Sequence, residues 1–394
     1  MKALEMRRSV PRLGLARVAS ALGTSAAVRV APLEYRTVDA PELPGDGWHR
    51  VRTRLSGICG SDLSMIEGHA SIYFDDVVSF PFVPGHEVVG ELDDGSRVAI
   101  EPVLGHAARG FPLPFDDAAP GDGDDYGHLT AGDLEPGIQT GFCTSTGGGW
   151  APEFVAHDSQ LHRLGDVPDE RAVLIEPLAG GIHAALLAAR GESVRAAAAP
   201  IVAVLGAGTM GLAAIAGLIR YLPDAIVVVG ARYPHQQREA RRLGAHDVVP
   251  ASEVTRAVRR HDGCRMIGDA VSGGAHTVID AVGSNDSIAT ALRVTRPRGR
   301  TVLMGMPAEV TLDLTGLWHR ETELVGAYTY GTEQLADGSV AKTFDLAAET
   351  ADAIEVERWL SATYPLADFA AAIAHAAAAG RRGAIKVAFD LRGN

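Results

Sequence analysis

Five apolar residues, Ile201-Val-Ala-Val-Leu205, run straight into Gly206-Ala-Gly208-Thr209-Met210-Gly211 and then into the periodic stretch LAAIAGLIRYL. An unbroken, mostly β-branched run reads as a strand buried on both faces, and the spacing after it reads as a helix. Between two such elements the three glycines each have a purpose. The first permits a tight turn, the second lets a pyrophosphate approach the backbone, and the third lets helix and strand pack closely, with amides of the helix N-terminus facing the phosphates. Gly206, Gly208, Thr209, Met210 and Gly211 are therefore the candidate dinucleotide contacts, weighed against the glycine turns common to any α/β sheet.

From about Val173 onward, further apolar strands (AIVVVG, TVID, TVLMG) alternate with Ala-rich helical stretches, the rhythm of a doubly wound parallel sheet. From Val28 to about Phe154 the texture is one of short strands and turns, with alternation in HRVRTRL and punctuation such as PELPGDG. The tail beyond Gly326 contains the helix-like FAAAIAHAAAAG and the strand-like AIKVAFDL, and is expected to fold back on the first domain. The expected class is α/β: a β-rich domain over residues 1–175, completed by 326–394, and a dinucleotide-binding domain over 176–325. A length of 394 residues suits two such domains.

A net charge of −13 disfavours nucleic acid and anionic membrane as partners, which leaves small-molecule chemistry. The cysteines, Cys59, Cys143 and Cys264, are three and far apart, a poor disulfide framework that suits a reducing, cytoplasmic setting. No apolar run approaches the roughly 20 residues needed to span a bilayer. Arg7, Arg8, Arg12 and Arg17 raise the question of a targeting segment; Arg17 interrupts the apolar stretch such a segment needs, so an extra surface helix or loop is the simpler expectation.

About twenty residues beyond Gly211, where a carboxylate would bind the adenine ribose 2′-hydroxyl, the second strand ends in Gly230-Ala231-Arg232. No acid is there to repel a 2′-phosphate, and Arg232 offers a permanently charged planar fork. NADP(H) is therefore expected over NAD(H), the alternative being that Arg232 is only a solvated strand-end residue.

Two clusters carry metal chemistry: Gly57-Ile-Cys59-Gly-Ser61-Asp62 and Pro84-Gly85-His86-Glu87. Thiolate and imidazole suit zinc, and a carboxylate completes the set, with Glu87 and Glu176 (in IEPLAGGIHA) both candidates. Taken singly, Cys59 reads as a small buried hydrophobe, His86 as a core histidine and Glu176 as a helix cap. Asp62 is placed to orient a ligand, whereas His183 is expected to pack on its helix.

GICGSD, PGHEVVG, IEPLAGGIHA and GAGTMG, in that order over nearly the whole chain, resemble the zinc-dependent medium-chain dehydrogenase superfamily, particularly its polyol and threonine dehydrogenase branches. The resemblance implies a GroES-like catalytic domain and a Rossmann domain with the active-site cleft between them. It implies that Cys59, His86 and Glu87 bind a catalytic zinc, with Glu176 as an alternate or water-linked ligand, and that Ser61 is the hydroxyl relay contacting a small alcohol or carbonyl substrate. Asp280–Ser284 and RPRGRTVLMGMP resemble the strands that flank the nicotinamide. A homo-oligomer, dimer or tetramer, joined through the edge of the Rossmann sheet is implied as well.

The chain departs from the family in two places. Ser64 stands where a terminal proton-accepting histidine is common, and the four cysteines of a structural zinc lobe are replaced, their equivalents being Pro112, Phe115, Ala118 and Tyr126. One catalytic zinc and no structural zinc is the expectation, with His106 and the neighbouring aspartates read as solvated loop and Cys143 as structural. Trp150 and Tyr73 are read either as pocket walls or as ordinary core. The competing readings are a zinc-free NADPH-dependent quinone or enone reductase, which shares the glycine motif but usually lacks the cysteine and GHE ligands, and a non-catalytic NADPH-binding protein.

Overall fold

The strand Ile201–Leu205 is buried at every residue and lies inside a six-stranded sheet. The computed structural model describes residues 1–393 and orders that sheet as Asp247–Val249, Ile226–Gly230, Ile201–Leu205, Ala275–Asp280, Thr295–Leu303 and Glu323–Gly326. Every neighbouring pair is parallel. Parallel pairing requires crossovers, and the helices Thr209–Tyr221, Val254–Asp262 and Asn285–Val294 lie between successive strands. Strand order reverses beside Ile201–Leu205, the place where doubly wound sheets bind ligands beyond their C-terminal strand ends. Val228, Val254, Val258, Val278, Ala291 and Val294 are among the apolar residues packed into one core with it.

This sheet belongs to a compact unit spanning Pro177–Ile354. Glu323–Gly326, where the tail was expected to begin, is the sixth strand of the sheet, and residues up to Ile354 stay in the same unit. There a hairpin, Thr332–Gln334 with Val340–Lys342, brings buried Glu333 to His183 Nδ1, to Arg190 and to Thr343 Oγ1. His183 is thus engaged by a carboxylate of its own unit, in line with a packing role.

The other unit comprises Met1–Glu176 and the chain from Glu355 onward. Its seven-stranded sheet runs Leu360–Tyr364, Lys386–Asp390, Trp48–Gly57, Val88–Leu92, Arg97–Ile100 and Leu161–Arg163, with Glu153–His157 also on Trp48–Gly57. The long strand Trp48–Gly57 alternates arginines with buried Val51 and Leu55, so one face packs against Val88, Val98, Ile100 and Phe154. Arg50, Arg52 and Arg54 pair with Glu153, Glu91 and Asp169.

The arginine-bearing N-terminal stretch folds as two helices, Val10–Ser20 and Thr24–Val30, inserted between the paired strands Lys2–Met6 and Leu33–Thr37. Arg12 closes this insert by donating to Val30 O at 3.1 Å, to Ala31 O at 2.6 Å and to Glu34 at 2.5 Å. Among the described residues, one helical stretch, Asp169–Ala189, is long and apolar enough to cross a membrane, and 72 % of its most apolar 18-residue window is buried inside the protein. It begins the run to the parallel sheet and reads as a core helix.

In the lobe that follows the first sheet strands, Arg109 is 1 % exposed. Its guanidinium donates to four carbonyls: Leu104 O at 3.2 Å, Ala131 O at 3.1 Å, Glu135 O at 3.3 Å and Gly137 O at 2.5 Å. Cys143 is buried beside it and donates to Glu135 O at 3.4 Å. A single buried cation therefore gathers the backbone of this lobe.

Candidate metal centre and dinucleotide cradle

Antiparallel pairing of Trp48–Gly57 with Val88–Leu92 carries Ser56 opposite Val88, and Gly57 N–H donates to Glu87 O at 2.8 Å. The turn that follows one strand thereby meets the turn that precedes the other. Cys59 caps the short helix Gly60–Ile66, where its N–H donates to Asp62 Oδ2 at 2.9 Å. Gly85 has φ +100°, and a Cβ there would meet Trp150 Cδ1 at 2.5 Å, so only glycine turns the chain tightly enough to present His86.

The ligating atoms of Cys59, His86 and Glu87 lie within 4.8 Å of one another. His86 is 3 % exposed, and Glu87 and Asp62 are 0 % exposed. Glu87 Oε2, His86 Nδ1 and Asp62 Oδ1 are buried without a hydrogen-bond partner, which is costly unless something else engages them. His86 Nδ1 faces Asp62 Oδ1 at 3.6 Å, and Nε2 faces Ser61 Oγ at 3.5 Å. Glu176, half-buried, stands close enough for its charge to act on both His86 and Lys386.

Burial works against a charged His86, yet the Asp62 carboxylate, with Cys59 and Glu176, outweighs it and holds the imidazole well above its ordinary pKa. Burial pushes the Asp62 carboxyl up. The His86 shift expresses the negative groups around it, which favour a cation at this place, and the Asp62 shift expresses the cost of burying a carboxylate. Thiolate, imidazole and carboxylate donors, unpartnered buried polar atoms and those negative groups together fit a zinc ion.

Lys386 was not among the residues singled out from the sequence. Its ammonium, 4 % exposed, donates to Glu87 Oε1 and to Ile58 O at 3.3 Å. Burial acts to lower its pKa, but the Glu87 carboxylate prevails and raises it. The available signal was a lone lysine inside the apolar strand AIKVAF, since a buried lysine needs an acid. Trp150 proves to be core, 0 % exposed with Nε1 donating to Gly57 O at 3.4 Å, while Tyr73 is 78 % exposed.

In the other unit, Gly206 has φ +90°, and a Cβ at Gly211 would lie 2.0 Å from Gly206 O. Neither position tolerates a side chain. Gly208 caps the helix Thr209–Tyr221, and a Cβ there would meet nothing within 4 Å, which leaves its surroundings open to a ligand. At the second strand end, Ala231 is buried and Arg232 is exposed, with its guanidinium 5.5 Å from the Tyr233 ring centre. Gly230 has a packing reason of its own, because a Cβ there would lie 2.3 Å from Val254 Cγ2. Asp280 accepts from the N–H groups of Val282 and Gly283 and from Ser287 Oγ, which fixes the turn after the fourth strand.

One unit that is β-rich and gathers a half-buried cysteine with a buried histidine and glutamate, and another that is doubly wound and carries a glycine-rich strand-to-helix turn, are the parts of a metal-dependent, nicotinamide-dependent oxidoreductase. The chain matches the family described as alcohol dehydrogenase GroES-like domain over residues 45–166, and that described as zinc-binding dehydrogenase over residues 209–345. It belongs to the zinc-dependent medium-chain alcohol dehydrogenase family. It is similar to L-idonate 5-dehydrogenase of Vitis vinifera, 28% identical over 73% of this chain and 75% of that one. Sorbitol dehydrogenase of Homo sapiens is 29% identical over 76% of this chain and 79% of that one. Among solved structures, glucose dehydrogenase of Haloferax mediterranei superposes with a TM-score of 0.69 at 19% identity, covering 99% of each chain, a likeness of fold.

Proposed function

We propose that the protein interconverts a small polar secondary alcohol, of the polyol class, and its carbonyl, with NADP(H) as the hydride carrier. The observation that carries this is the convergence of Cys59, His86 and Glu87 donor atoms within 4.8 Å, with Glu87 Oε2 buried and unpartnered. Cys59, His86 and Glu87 would hold one catalytic zinc, with Glu176 as the exchanging ligand. The metal supplies Lewis-acid polarisation that eases loss of the alcohol proton. Polyol-like substrates are supported by the names of the relatives, idonate and sorbitol dehydrogenases.

The chain's own residues supply the rest. Asp62, with Oδ1 3.6 Å from His86 Nδ1, would help orient the imidazole by its charge. Ser61, whose hydroxyl both donates and accepts, takes the substrate's hydroxyl proton while passing on its own. The products are a carbonyl, NADPH and a proton. The loop Gly206–Gly211 with Thr209 and Met210 seats the pyrophosphate at a helix N-terminus, and Arg232 binds the 2′-phosphate. The unpaired strand edge Glu323–Gly326, with exposed Leu324 and with Leu314 and Trp318 exposed just before it, supports pairing with a second copy into a dimer or tetramer. Three free cysteines and an acidic surface suit a cytoplasmic enzyme without nucleic acid or membrane partners.

Steady-state reduction of NADP⁺ and NAD⁺ with a panel of polyols, sugars and simple secondary alcohols tests the reading. Higher kcat/KM with NADP⁺ and a polyol is expected. Turnover confined to enones or quinones with NADPH would replace it by the zinc-free reductase reading.

A further inference from the structure

Lys386 opens the strand Lys386–Asp390, which pairs with Trp48–Gly57 so that Ala388 lies opposite Gly57 and Ile58 N–H donates to Val387 O at 3.0 Å. That register sets Lys386 alongside the turn that bears Cys59. Its side chain is 4 % exposed, and its ammonium donates to Glu87 Oε1 and to the Ile58 carbonyl. Glu87 is 0 % exposed, and its other oxygen, Oε2, has no partner. A Cβ on Gly57 would come within 1.9 Å of Oε2, so a glycine at the strand end is what gives this carboxylate its place. One oxygen is thus held by a buried cation and the other has no partner, in a carboxylate that lies within 4.8 Å of the Cys59 and His86 ligand atoms.

We propose that Lys386 is a positioning residue of the metal centre: it holds Glu87 by Oε1, so that the carboxylate offers a metal a single oxygen, Oε2. The proposal rests on the metal site put forward above. Its energetic consequence follows from charge. Without a metal, the ammonium compensates a carboxylate that would otherwise be buried alone; with a dication in place, it repels the metal and shares the carboxylate's charge. Removing the ammonium therefore harms the metal-free protein more than the metal-bound one, and metal affinity must rise. A lysine that only filled space would, on substitution, cost both forms equally.

The test uses the full chain, stripped of metal and titrated with Co²⁺ in competition with a chelator, with the Co²⁺ d–d absorption and the melting temperature recorded with and without the metal. The proteins are wild type, Lys386→Met, Lys386→Arg, Glu87→Gln and the double variant Lys386→Met/Glu87→Gln. For Lys386→Met we expect a lower metal-free melting temperature, Co²⁺ bound at least tenfold more tightly, and an altered d–d band as Oε1 is released. Lys386→Arg should stay within about threefold of wild type, since it keeps the charge. The double variant should recover metal-free stability over Lys386→Met and show the band of Glu87→Gln alone. A Lys386→Met chain that folds only with metal is the limiting form of the same result. Wild type that binds Co²⁺ while Lys386→Met binds it no more tightly, or a double variant as unstable as Lys386→Met, overturns the proposal and leaves the metal site standing. Wild type that binds no Co²⁺ removes the metal site itself.

Discussion

The proposed preference for NADP(H) rests on Arg232, an exposed side chain whose guanidinium lies 5.5 Å from the Tyr233 ring centre at the end of the second parallel strand. A charge-assisted hydrogen bond to a phosphate is worth about 1.5–3 kcal/mol, so Arg232→Ala should lower kcat/KM for NADP⁺ about 10- to 100-fold. Efficiency with NAD⁺ should change little, and equal losses with both cofactors would assign the 2′-phosphate to other residues. Ser61 makes a separate prediction. Its hydroxyl is 3.5 Å from His86 Nε2, and loss of a proton relay of this kind costs on the order of 100-fold in kcat or more. Ser61→Ala should show that loss while keeping the metal content of wild type; a variant with full kcat would rule out the relay. Ser61, Cys59, His86 and Glu87 were legible in the sequence because short motifs hold them. Lys386 was not, since its partner Glu87 is far away in the chain and only the strand register joins them.

Strands and turns bring these residues together, and the glycines mark where the backbone leaves no slack. A Cβ at Gly211 would lie 2.0 Å from Gly206 O, so Gly211→Ala must push the helix off the strand and with it the amides proposed to seat a pyrophosphate. Dinucleotide affinity measured by fluorescence titration should fall at least tenfold; unchanged affinity would mean that the cradle lies elsewhere. In the other unit buried Arg109 donates to four carbonyls, of which the bonds to Leu104 O and Gly137 O lie in the interior and would be lost with it. Arg109→Met should cost roughly 2–4 kcal/mol in urea unfolding, and a cost below about 0.5 kcal/mol would deny it that role. The parallel sheet was readable from its apolar runs, which need no partner to be recognised as buried strands. The Arg109 knot was not: GHAARGF carries no hint that carbonyls from residues 131–137 will arrive around one guanidinium. The position of the return was similarly faint, because Glu323–Gly326 and the helix Thr343–Ala353 have the same texture whichever unit they join.

Across the molecule, burial depresses the pKa of His128, His157, His276 and His375 below the ordinary 6.5. A depressed folded-state pKa means that the unfolded chain takes up protons first as pH falls, so these groups favour folding above about pH 6.5 and lose that contribution below it. His86 shifts the other way, but a bound metal would displace its proton. The melting temperature of the metal-loaded protein should therefore fall steadily from pH 7 to pH 5.5, and a flat or rising profile would show that other groups dominate. The proposed function rests on a metal centre at Cys59, His86 and Glu87, so metal content is the decisive quantity. Elemental analysis of wild type and Cys59→Ala, both purified without chelators, should find about one zinc per chain in the first and almost none in the second. Equal zinc in the two, or none in wild type, would contradict a catalytic metal at this site.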